Sequence, residues 1–160
     1  MSVSKILTVE ALSARVGRLQ SEGKRVVFTN GCFDLLHAGH VALLEEARRH
    51  GDVLVVAINS DASVRRLKGA RRPILAAGER SRILAALAAV DFVCVFPEDA
   101  PLETVRALHP DVLVKGADWK EKGIVGRAEV EGWGGQVVVV PLVEGQSTTD
   151  IVERILAGRG

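Results

Sequence analysis

Residues 53–58 (VLVVAI) are apolar at every position. A strand with one wet face alternates polar and apolar residues. A strand with no polar position is buried on both faces and needs cover from above and below. The remaining chain offers that cover. Strand-like segments at 25–30 (RVVFTN), 92–96, 111–114 and 136–140 (QVVVV) alternate with helix-like ones. Val9, Leu12, Val16 and Leu19 recur at helical spacing, which predicts a helix over residues 8–22 closed by Gly23. Further helices are expected at 41–49, 62–67, 79–89, 102–108, 124–131 and 147–156, with loops at 68–78 and 116–123. Parallel strands need such crossovers, and the helices then cover both faces of the sheet. The expected fold is a three-layer, doubly wound α/β domain with a five-stranded parallel sheet. It would form one unit over residues 1–160, a leading helix within 1–24 followed by a core at 25–157. Folds of this kind bind ligands at the carboxyl ends of their strands.

Charge and cysteine content narrow the function. Twenty-one basic residues face 20 acidic ones in 160, a net charge of +1, so no bulk field holds nucleic acid or an anionic membrane. No apolar run reaches the roughly 18 residues a membrane span needs. The opening MSVSKILTVEAL lacks the pattern of a signal peptide, which points to the cytoplasm. Cys32 and Cys94 belong to no CxxC pair, which argues against a disulfide framework and a four-cysteine zinc site.

The first strand runs into Asn30-Gly31-Cys32-Phe33-Asp34-Leu35-Leu36-His37-Ala38-Gly39-His40. Neither a P-loop nor GxGxxG occurs. Two histidines stand instead at the mouth of a helix, where a charged imidazole opposes the dipole but a phosphate is welcome. A glycine between them lets backbone approach a ligand. Residues 65–72 carry five cations in eight positions with no aromatic between them, which suits a clamp on phosphates better than an RNA surface. Lys115 follows a buried strand and needs an anionic partner or water. Asp61 and Ser147 each suit a helix cap or a ligand contact, and Asp34 either holds the turn or approaches a metal. Arg80 opens a helix, where a cation is unfavourable without an anion.

The stretch GCFDLLHAGH resembles the signature of the HxGH nucleotidyltransferases, in their cytidylyltransferase-like branch. Further segments recur in order: Asn59-Ser60-Asp61, Arg66-Leu67-Lys68-Gly69, Arg72-Pro73, Glu79-Arg80, Lys115-Gly116-Ala117-Asp118-Trp119 and Gly145-Gln146-Ser147-Thr148-Thr149. Together they resemble the heptose 1-phosphate adenylyltransferases, including the adenylyltransferase domain of bifunctional heptose kinase/adenylyltransferases, over residues 8–157. The resemblance implies a Rossmann-like nucleotidyltransferase fold, a stand-alone form of that domain, ATP and heptose 1-phosphate as substrates, Mg2+ carried with ATP, and a homodimer. It assigns His37, His40, Lys68 and Lys115 to catalysis. Gly31, Cys32, Phe33, Gly39, Gly116, Asp118, Trp119, Ser147 and Thr148 would contact the nucleotide together with His37, His40 and Lys115. Asn30, Asp34, Asp61, Arg66, Arg72 and Arg80 would serve the acceptor. No covalent intermediate is implied, so Cys32 is read as packing or a backbone contact, and no metal site formed by the protein is expected.

The chain departs from the cytidylyltransferase pattern at one place. Those relatives carry arginine in a stretch resembling RTEGISTT, and Leu142 takes that position in Leu142-Val143-Glu144-Gly145-Gln146-Ser147-Thr148-Thr149. Leucine cannot donate to cytosine. The alternative within enzymes is a glycerol 3-phosphate cytidylyltransferase using CTP. Outside enzymes, the alternatives are a nucleotide-binding regulatory module and an RNA-binding α/β domain.

Overall fold

The structure, a computed structural model, describes residues 1–119 and 123–158. Among them five strands, β1 (Val26–Gly31), β2 (Val53–Asn59), β3 (Phe92–Phe96), β4 (Val112–Gly116) and β5 (Gln136–Val140), form one sheet in the order β3-β2-β1-β4-β5. Every pairing is parallel. Helix α1 (Val9–Ser21) precedes the sheet, α2 (Ala38–Arg48), α3 (Asp61–Lys68), α4 (Ala77–Ala86), α5 (Leu102–Leu108) and α6 (Arg127–Gly132) lie in the crossovers, and α7 (Thr148–Ala157) follows β5.

All seven residues of β2 are buried, as its unbroken apolar pattern predicts. Successive side chains of a strand serve opposite faces, so the core divides in two. Val26, Phe28, Val55 and Ala57 join Leu12, Val16, Val105 and Val130 from α1, α5 and α6. Val27, Leu54, Val56 and Ile58 join Leu44, Ala47, Leu84 and Ala85 from α2 and α4. This is the expected three-layer doubly wound α/β fold.

The elements at 92–96, 102–108 and 136–140 match the sequence reading residue for residue. Two differences bear on the site. Helix α2 starts at Ala38 rather than at 41, because His37 is extended (φ −135°) and caps it. Strand β4 continues through Gly116, so Lys115 lies within the strand. The expected 116–123 loop opens as a 3-10 turn at Ala117–Trp119, and its residues 120–122 lie outside the described part. No helix among the described residues is long and apolar enough to cross a membrane.

Candidate active site

The order in which the chain adds strands reverses between β1 and β4, and there the ladder is short. Strand β1 stays paired with β2 as far as Gly31–Ile58, but meets β4 only at Val27–Val112 and Phe28–Leu113. Beyond Phe28 side chains replace the ladder: Thr29 Oγ1 donates to the Val114 carbonyl at 2.8 Å, and Lys115 Nζ to the Asn30 carbonyl at 3.0 Å. The carboxyl ends therefore part at the switch in strand order, where doubly wound sheets bind ligands. A cleft of about 770 Å³ opens there.

The turn after β1 forms one wall. Phe33 holds φ +45°, a conformation costly for a bulky residue, and its ring lies where a Cβ on Gly31 would meet it at 3.1 Å. Cys32 donates its Sγ hydrogen to Asn59 Oδ1 at 3.8 Å, and burial pushes the thiol pKa up, so it stays protonated and is no nucleophile. Cys94, inside β3, is pushed up to about 12 by burial.

The two histidines stack at 3.8 Å between centroids, and the Phe33 ring lies 5.2 Å from His40. The His37 backbone N–H donates to His40 Nδ1 at 3.4 Å. That bond leaves the proton of neutral His40 on Nε2, as a donor. His37 Nδ1 is buried and has no hydrogen-bond partner among the described residues, which favours the same tautomer because a buried N–H would go unmet. Burial lowers His40 to about 4, with His37 pushing the same way, and burial also lowers His37, opposed by Asp150. Both rings are thus neutral donors at pH 7. Gly39 has a steric reason: a Cβ there would stand 3.0 Å from both the His37 ring and Gln146 Cβ.

Across the opening, Lys115 is 6% exposed and also donates to Asn30 Oδ1 at 3.1 Å. Its ammonium sits 4.5 Å above the Trp119 ring. Burial lowers it to about 8, with Asp118 and Cys32 opposing. Leu142 crosses over Gly116 so closely that a Cβ would lie 2.7 Å from its Cδ2. Trp119, Asp118, Leu142 and Val143 therefore line one end of the cleft.

Helix α7 supplies the next wall. Ser147 caps it, accepting from the Asp150 amide at 3.0 Å, and Thr148 Oγ1 donates to the Leu35 carbonyl at 3.1 Å. Both line the cleft, as do Lys68 at the end of α3 and Arg72. Arg72 donates to Asp34 Oδ2 at 3.2 Å and Thr149 Oγ1 at 3.4 Å. Asp34 also accepts from the Ile74 and Leu75 amides at 2.9 Å. Of its two sequence readings, the structure shows the one that holds a turn.

Three residues expected at the acceptor stand elsewhere. Arg80 is 1% exposed and donates to the Cys32 carbonyl (2.7 Å), the Leu75 carbonyl (3.0 Å) and Asp61 Oδ1 (2.7 Å). Asp61 also accepts from the Ala77 amide at 2.9 Å. Neither lines the cleft: the anion that Arg80 needed is Asp61. Arg66 does not line the cleft either, and donates to Asp99 Oδ1 (2.8 Å) and the Pro97 carbonyl (2.9 Å). Conversely, Asn59, Val64, Leu67, Asp99, Ala100 and Pro101 line the other end of the cleft, and the sequence reading did not pick them as site residues. Asn59 had a usable signal, since it closes a strand at its carboxyl end; the 98–101 loop has none.

The donor set offers a divalent cation little direct ligation. Asp34 is engaged by two amides and Arg72, Asp99 by Arg66, and no cluster of three or more His, Cys, Asp or Glu among the described residues suits a metal. That fits a Mg2+ bound mainly by phosphate oxygens and water, with Asp118 the carboxylate nearest to hand at the Lys115 end.

A parallel doubly wound sheet, neutral histidine donors at a helix mouth and lysines in one cleft at the switch point define a nucleotidyltransferase. The cytidylyltransferase-like family model matches residues 28–154. The chain belongs to the cytidylyltransferase-like family. It is 54% identical over 155 residues to the bifunctional protein HldE of Trichlorobacter lovleyi, covering 97% of this chain and 32% of that protein. With HldE of Geotalea uraniireducens it shares 55% over 157 residues, 98% of this chain and 32% of that one. The chain thus spans about a third of the length of these curated relatives. The lipopolysaccharide core biosynthesis protein of Thermoplasma volcanium superposes with a TM-score of 0.63 at 28% identity, over 78% of this chain and all of that one.

Proposed function

We propose that this chain transfers AMP from ATP to D-glycero-β-D-manno-heptose 1-phosphate, giving ADP-heptose and pyrophosphate for lipopolysaccharide or another heptose glycan. The observation that carries the reading is the convergence of His37, His40, Lys68, Lys115, Ser147 and Thr148 on one cleft at the β1/β4 switch point. Similarity to HldE over nearly the whole chain supports the acceptor. The reaction would run in the cytoplasm, in a homodimer.

An oxygen of the sugar phosphate attacks the α-phosphorus of ATP as the bond to the bridging oxygen breaks and pyrophosphate departs. Both reactants arrive activated, so the protein aligns them and offsets their charge. His37 and His40 donate to oxygens on which charge grows, without bringing a proton that the dipole of α2 would resist. Lys115, fixed by Asn30, meets the phosphate from the β4 side, Arg72, bonded to Thr149, flanks the departing pyrophosphate near the amino end of α7, and Lys68 reaches the phosphates from the end of α3. A magnesium ion on the triphosphate would neutralise charge there.

Lys115 sets a pH limit. It is charged below about pH 8 and loses its charge above, so kcat/KM for ATP falls as pH rises through that value. Profiles from about pH 6.5 to about pH 9.5 check this; the limb is absent in Lys115→Met. A limb that persists in the variant belongs to another group.

The base is tested by substrate. Leu142 over Gly116 offers an apolar wall and no donor, which supports a purine. The expected ratio of kcat/KM for ATP over CTP is at least about 10, or ~1.4 kcal/mol. Equal or better use of CTP, above all with glycerol 3-phosphate, overturns the adenylyltransferase reading in favour of a cytidylyltransferase.

A further inference from the structure

The end of the cleft away from Trp119 and Leu142 is built around a tethered loop. Asn59 Nδ2 donates to Ser63 Oγ at 3.0 Å, and Ser63 Oγ to the Glu98 carbonyl at 3.0 Å. Arg66, from α3, bridges Asp99 and the Pro97 carbonyl. These ties hold the β3–α5 loop over the carboxyl end of β2, with Asp99, Ala100 and Pro101 on the cleft wall. Asp99 is the acidic residue of this end, whose α3 wall runs from Val64 and Leu67 to Lys68, while Arg72 and Lys115 line the cleft further on. A carboxylate there repels phosphate, and its side chain stays 51% exposed despite the ion pair. It suits a neutral ligand rich in hydroxyl donors, because a carboxylate accepts from adjacent hydroxyls and Arg66 keeps it ionised and oriented.

We propose that Asp99, oriented by Arg66, binds the hydroxyl groups of the acceptor sugar and so selects a polyhydroxylated phosphate. The assignment rests on the transferase reading above. The nucleotide takes the Trp119–Leu142 end, the phosphates meet at the histidines, and the sugar body is left with the 98–101 wall. Asp99 then discriminates acceptors without taking part in bond making.

The test is steady-state kinetics with ATP and heptose 1-phosphate for wild type, Asp99→Ala and Arg66→Met. Removing a charged acceptor from sugar hydroxyls should raise KM for the sugar phosphate about 10-fold or more in Asp99→Ala, with KM for ATP within about twofold. Arg66→Met, which only loosens the carboxylate, should give a smaller rise of the same kind. Both positions are exposed, and unchanged melting confirms folding. An unchanged sugar-phosphate KM, or an equal rise in both constants, overturns the inference while leaving the transferase reading intact. Absence of pyrophosphate release by the wild type with both substrates defeats the two together.

Discussion

Replacing His40 by alanine is expected to lower kcat by about 10² to 10³, the usual cost of removing a donor to a developing oxyanion. The ring is placed for that role by three features: the amide of His37 bonded to Nδ1, the stacked His37 ring, and the Phe33 ring beside it. Stability should change by no more than about 1 kcal/mol, since the ring is only part-buried and makes one side-chain hydrogen bond. Because burial holds His40 near 4, it contributes no titration between about pH 6 and about pH 7.5. Single-turnover rates with circular dichroism on the same sample check both halves. A variant with near-normal kcat would remove the histidine from the mechanism.

The second large effect is on stability. Arg80→Met keeps the volume but withdraws three donors from inside the protein. The Cys32 and Leu75 carbonyls lose their partner, and Asp61 its counter-charge. Breaking a buried pair on one side costs about 3–5 kcal/mol. Asp61 is one-third exposed and regains some water, so a loss near ~3 kcal/mol is expected, or roughly 10 °C in Tm for a chain of this size. Urea unfolding measures it. A loss below ~1 kcal/mol would mean that the network is dispensable to the fold.

Most of the fold was legible because burial leaves period and composition behind. The apolar run of β2, the helical spacing in α1 and the alternation of segments all follow from which faces are covered. Element ends were less legible where a turn sets them. The helix expected from 41 begins three residues earlier, because the extended His37 after the strained Phe33 starts it at Ala38. In the site, the sequence showed the residues that end strands or begin helices, since their place in the fold is their signal. It did not show which charges pair. Arg80 and Asp61 lie on different helices, and Asp34 reaches amides 40 residues on. Local charge rules see an unmet cation at a helix start and assign it a ligand. Asp99 was missed for the converse reason, because it sits in a loop of ordinary composition and gains a place at the cleft only through Asn59, Ser63 and Arg66.

In the proposed reaction a sugar phosphate takes AMP directly from ATP in this cleft. The most direct measurement incubates the protein with ATP, Mg2+ and heptose 1-phosphate and quantifies every phosphorus-containing product by chromatography and mass spectrometry. ADP-heptose and pyrophosphate are expected in equal amounts, with neither formed when the sugar phosphate is left out. Pyrophosphate released with AMP and no nucleotide sugar, or ADP formed alongside a doubly phosphorylated sugar, would contradict it.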